Sequence, residues 1–182
     1  MSENLVVAGQ RPSAELNELM VGGKGSRLAA LCEAGYPVPK FYCLTTAAFA
    51  TAVSGQRATE FSEHVTQLCA AVNDVESAER AAAVREWIAN LPLPLEVESA
   101  IRREHASLFV NDVTVAVRSS VAGEDGRSHS FAGMHDTVLN VRGIDAVLAA
   151  VKEVWSSAWS DRAIAYRRQR RIPVGEDRKS VV

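Results

Sequence analysis

No stretch of this chain stays apolar for the ~20 residues that a bilayer-crossing helix requires. The opening MSENLVVAGQRPSAEL lacks the basic start and apolar core of a secretory signal. Cysteine is scarce. Cys32, Cys43 and Cys69 are odd in number and widely spaced, which excludes a paired disulfide framework and a cysteine metal cluster. Each sits among apolar neighbours and is expected to be a small buried hydrophobe in a reducing, cytoplasmic setting. Neither sign of charge dominates: the net charge of −2 argues against nucleic acid as the main partner. A hydrophobic share of 47% in 182 residues suffices for a buried core and excludes wholesale disorder.

Turn residues and periodicity divide the chain. Gly22-Gly23-Lys24-Gly25-Ser26 leads into RLAALCEA, where Leu28, Leu31 and Cys32 share a helical face. Phe41–Leu44 reads as a short buried strand, and Thr45 or Thr46 is placed to cap the helix that follows. From Thr59 to Asn90 the pattern is helical, with one stripe of Phe61, Val65, Leu68 and Val72 and another of Ala83, Val84, Trp87 and Ile88. A proline-initiated helix extends to Leu108. Val113–Val117 and Thr137–Val141 are rich in β-branched residues and read as strands. Asp145 can cap a long helix from Ala146 towards Arg171, and Lys179-Ser180-Val181-Val182 reads as the start of a strand. An unfilled sheet edge is expected after Val182. Strands interleaved with helices give an α/β (α+β) class.

Two segments carry the chemistry. The loop from Ser119 to Gly133 is rich in serine and glycine, with a cation, Arg118, at its root. Such a loop can fold its N–H groups around a polyphosphate. Arg118 is expected at the carboxyl end of a buried strand, where a guanidinium can bind two phosphate oxygens. An ion pair with Glu124 or Asp125 is the competing reading. The GGKG turn lacks the spacing of a Walker A loop. What remains is a lysine at a helix N-terminus, suited to phosphate, or a flexible cap with an exposed lysine.

Other residues have plainer readings beside the chemical ones. Phe131 could stack on a base or anchor the loop. Asp136, Glu124 and Asp125 could approach Mg²⁺ or stay solvated. His129 and His135 read as neutral loop histidines. Tyr166-Arg167-Arg168-Gln169-Arg170-Arg171 reads as a solvated helix end ahead of a nucleic-acid patch. Trp155 and Trp159, one turn apart, suit a core or a subunit contact.

Three blocks, VGGKGSRLAALCEAGYPVPKFYCLTTAAF, VAVRSS…EDGRSHSFAGMHDTVLNV and VWSSAWSDRAIAYRRQRRIP, resemble the N-terminal ATP-grasp region of the phosphoenolpyruvate-utilising dikinases. That group includes phosphoenolpyruvate synthase, pyruvate phosphate dikinase and rifampicin phosphotransferase. The resemblance implies ATP with Mg²⁺ as cofactors. It assigns phosphate contacts to Lys24 and Arg118, and nucleotide contacts to Gly133 and Thr137. It implies transfer of the β-phosphate of ATP to a histidine on a separate domain, then to pyruvate or an antibiotic hydroxyl.

Val121-Ala122-Gly123-Glu124-Asp125 stands where the family usually reads A-T-A-E-D, and His135 is the second residue after its F-A-G segment. The family's region continues beyond the equivalent of Val182, into the part that supplies Mg²⁺-binding acids and another phosphate-binding arginine. The expectation is therefore one partial ATP-grasp domain over residues 1–182, with a mixed sheet, flanking helices, a helical segment at 59–108 and a lid loop at 119–133. It would bind ATP, lack turnover alone, and pair with the remainder of an enzyme or with a partner chain. Nucleic acid and membrane are not expected partners. The alternative is a stand-alone remnant acting as a protein-interaction module.

Overall fold

The computed structural model describes residues 5–11, 16–109, 113–121, 125–126, 129–130, 137–170, 172 and 179–181. The elements run β1 (Val6–Ala8), α1 (Glu18–Glu33), β2 (Tyr42–Leu44), α2 (Thr46–Ala52), α3 (Gln56–Cys69), α4 (Asp74–Ala89), α5 (Leu95–Leu108) and β3 (Thr114–Val121). They continue with β4 (Asp125–Gly126), β5 (His129–Ser130), β6 (Thr137–Arg142), α6 (Ile144–Ser156), a 3-10 turn at Ser157–Trp159, α7 (Asp161–Arg170) and β7 (Lys179–Val181).

The main sheet has the order β1-β2-β7-β3-β6. The class is α/β (α+β) as expected. Within the sheet each described pairing is antiparallel, where a mixed sheet was expected. The strand at Lys179 lies inside the sheet: β7 stands between β2 and β3, and the outer strands are β1 and β6.

Alternation along the strands divides the core into two layers. Val7, Phe41 and Cys43 join Val21 and Ala29 of α1 on one face. Leu44, Val117, Val141 and Val181 join Val147 and Val151 of α6 on the other. Register agrees with this division, since Val7 stands opposite Cys43 and Val115 opposite Val141. A bulge preserves it on β6. Val117 pairs with Val138 and Val115 with Val141, so one extra residue is absorbed between them. Asn140 takes φ 57, the left-handed conformation that asparagine tolerates.

Helix ends depart from the sequence reading for local reasons. The 59–90 pattern is two helices, because the Asn73 side chain accepts the Glu76 N–H at 2.9 Å and the Glu76 carboxylate accepts the Val72 N–H at 2.9 Å. These two caps start α4 and leave Val72 outside both helices, 87% exposed. The long helix after Gly143 is likewise broken, by the 3-10 turn and an extended Ser160. Gly143, not Asp145, is its N-cap residue, and Asp145 instead accepts from Arg102 at 2.8 Å. Trp155 and Trp159 are core residues, with ring centroids 5.3 and 6.0 Å from that of Phe49.

Candidate nucleotide site

Helix α1 starts earlier than the glycine turn. Its N-cap is Asn17, whose side chain accepts the Met20 N–H at 3.0 Å. Gly22 then breaks it, with φ 71 and ψ 174. In an unbroken helix the Gly25 N–H would bond the Val21 carbonyl. Here the Ser120 hydroxyl stands between them, accepting from Gly25 N–H at 3.0 Å and donating to the Val21 carbonyl at 2.7 Å. One buried hydroxyl thus satisfies both groups that the break leaves unjoined.

Only glycine fits at the break. A Cβ on Gly22 would overlap the backbone and hydroxyl of Ser120, and Gly25 leaves room for the Cys43 sulfur 3.0 Å from where its own Cβ would be. The same contact brings Lys24 to β3. Its ammonium donates to the Ser119 carbonyl at 3.1 Å. Lys24 is half-buried, so its charge is held at the junction of α1 and β3 rather than trailing in solvent.

Arg118 lies two residues before Ser120 and so shares its face of the sheet, the α1 face. It is exposed. Thr137 is its direct cross-strand partner on β6, also exposed and on the same face. The fold therefore brings Lys24, Arg118 and Thr137, 113 residues apart at the extremes, onto one side of one sheet. Arg118 sits inside β3 rather than at its carboxyl end, because the strand runs on through Val121. Ser119–Val121 are accordingly strand, not loop.

Gly133 lies outside the described residues, as do Glu124, Phe131, His135 and Asp136. Of the loop, the backbones of β4 and β5 are described, pairing Asp125 with Ser130 and Gly126 with His129. Among the described residues, no three His, Cys, Asp or Glu side chains gather into a metal site.

Residues 18–182 match the family described as pyruvate phosphate dikinase, AMP/ATP-binding domain. The chain belongs to this family. It is 39% identical over 158 residues to the phosphoenolpyruvate synthase of Escherichia coli, a match covering 81% of this chain and 19% of that one. The prodigiosin synthesizing transferase of Serratia marcescens is 38% identical over 149 residues, covering 81% and 15%. The rifampicin phosphotransferase of Bacillus subtilis is 34% identical over 157 residues, covering 82% and 17%. The chain thus spans about a fifth of the length of the curated relatives it matches.

Ser120 is the site residue that sequence reasoning missed. Its signal was a place in the serine-rich run that follows Arg118, and nothing in the pattern ties it to a helix break 98 residues earlier. The cysteines divide. Cys43 is buried, which pushes its thiol up to about 12, so it is no nucleophile at neutral pH. Cys32 is half-buried and Cys69 is exposed, against the expectation for both.

The basic run divides too. Arg167 is buried at 3% exposure and donates to the Ala158 carbonyl at 2.6 Å, closing the 3-10 turn onto α7. Arg168 lies 3.9 Å from Asp74, and Arg170 sits 5.7 Å above the Tyr166 ring. Among the described residues no helix is long and apolar enough to cross a membrane.

Proposed function

We propose that the α1 face of the sheet binds the polyphosphate of ATP through Lys24, Arg118 and Thr137, with Gly133 admitting the phosphate close to its backbone. The observation that carries this reading is the convergence of an ammonium, a guanidinium and a hydroxyl beside an interrupted helix. An ammonium and a guanidinium neutralise phosphate charge, and the guanidinium can hold two oxygens at once. The bond from Lys24 to Ser119 orients the ammonium before a ligand arrives, so less freedom is lost on binding.

In this reading the chain is the ATP-binding portion of a phosphotransferase of the ATP-grasp type. The larger enzyme passes a phosphoryl group from ATP through a phosphohistidine to pyruvate or an antibiotic hydroxyl. Mg²⁺ would come to the site bound to the oxygens of the triphosphate. Phosphoryl transfer depends on positioning and charge stabilisation from several sides. One wall of such a cradle binds nucleotide weakly and turns nothing over. Titration calorimetry with Mg·ATP tests this: the chain binds, and Arg118→Ala weakens binding by roughly tenfold or more. Equal binding by both proteins overturns the arginine's role.

A further inference from the structure

Helices α3 and α4 form a hairpin that turns through residues 70–73, so the start of α3 meets the end of α4. At this open end the Trp87 indole N–H donates to the Glu60 carboxylate at 3.3 Å. Phe61 packs against the same indole, with ring centroids 5.7 Å apart, so ring and carboxylate are both held in place. Beside them lies an open cleft of about 820 Å³, within the size range of small-molecule sites. Its lining follows helical spacing. Arg57, Glu60 and His64 come from α3, and Ala83, Trp87 and Asn90 come from α4. Ala83, one turn before Trp87, is too short to fill the space beside the indole.

The charges in this cleft are not spent on each other. Arg57 and Glu60 stand one turn apart on α3, a spacing at which such side chains can pair. Arg57 instead donates to the Ala52 carbonyl at 3.4 Å, and Glu60 accepts from Trp87. These bonds leave most of the guanidinium donors and carboxylate acceptor positions unused. Glu86 adds a second carboxylate from α4, exposed to solvent. The cleft therefore offers a cation and an anion within about 4.5 Å of helix rise, beside an aromatic wall.

We propose that this cleft binds a free α-amino acid with an apolar side chain. Arg57 takes its carboxylate in a charge-assisted pair, Glu60 and Glu86 take its ammonium, and its side chain lies against the Trp87 indole. A simple anion would meet two carboxylates, and a simple amine would meet the guanidinium. Only a molecule carrying both charges satisfies the lining. A metal ion is no better match, because among the described residues no three His, Cys, Asp or Glu side chains gather to hold one. None of the residues assigned to nucleotide lines the cleft, so occupancy here does not require ATP.

Tryptophan fluorescence provides the test. Trp155 and Trp159 are buried at 0% and 1% exposure, so a small molecule at the surface alters the emission of Trp87. Phenylalanine, leucine and methionine are titrated singly to about 20 mM, where a site of millimolar affinity approaches saturation. A saturable change is expected. Phenethylamine and 3-phenylpropanoate, which each lack one charge of phenylalanine, should bind about tenfold or more weakly. Glu60→Gln keeps an acceptor for Trp87 but loses the charge, and Arg57→Met loses the guanidinium. Each should lower the affinity for labelled phenylalanine about tenfold in equilibrium dialysis, while melting within about 3 °C of the unaltered chain. The absence of a saturable change with all three amino acids overturns the proposal. So does phenethylamine binding as tightly as phenylalanine, or undiminished binding by either variant.

Discussion

Gly22 and Ser120 occupy one another's space. Gly22 has no side chain, so β3 comes close enough for the Ser120 hydroxyl to enter the broken helix and join Val21 to Gly25. Lys24 is bracketed by this contact, and its own bond goes to the residue next to Ser120.

Gly22→Ala is expected to cost about 3 kcal/mol or more, since positive-φ strain and a backbone overlap add together. Gly35 has φ 80 but open space where a Cβ would go, so Gly35→Ala should cost only about 1 kcal/mol. Urea melts of both variants check this. Similar losses would mean that the contact with Ser120 contributes nothing beyond backbone strain.

Ser120→Ala removes the bridge and leaves the Gly25 N–H and the Val21 carbonyl without it. A loss of about 1–3 kcal/mol is expected. Nucleotide affinity should fall with it if the bridge sets the position of Lys24. In a Lys24→Ala background the further drop in affinity should then vanish, which a double-mutant cycle measures.

Arg167→Met keeps most of the side chain's volume but deletes the donor to Ala158. With Arg167 at 3% exposure, about 2–3 kcal/mol should be lost. Arg170, exposed at the end of the same helix, should tolerate Met within about 0.5 kcal/mol. Parallel chemical denaturation distinguishes the two.

Thiol chemistry should separate the cysteines. At pH 8 an alkylating reagent is expected to modify Cys69 quickly and Cys43 only after unfolding, which peptide mass mapping resolves. The folded-state pKa of Cys43 is raised from 9.0 to about 12 by burial, so its neutral form stabilises the fold below pH 9. That contribution is lost as pH rises from 9 through about 12. Alkaline melts of Cys43→Ala should show a smaller decline over this window than the unaltered chain.

Much was legible wherever one element supplied its own signal. The α5 helix after Pro94, the strands at 42–44 and 137–142, and the β7 start at Lys179 all follow from turn residues and β-branched runs. The family motifs singled out Lys24, Arg118 and Thr137, and the fold places these three on one face. Misreadings fell where a side chain acts on another segment's backbone. Glu76 reaching back to Val72 split one helical pattern into two, and Arg167 reaching to Ala158 turned an expected solvated cation into a buried one. Periodicity cannot show either bond, because it records which face a residue occupies and not what its polar atoms meet.

Sequence by itself determined the α/β class, most element positions, the cationic and glycine-rich segments, and the family to which they belong. Those properties reside in local propensity and in motif spacing. The tertiary structure alone decided that the last described strand lies inside the sheet, and that Ser120 completes a helix whose break lies 98 residues earlier. Each of these depends on which backbone donors and acceptors meet across the fold, and that pairing is set only when distant segments pack.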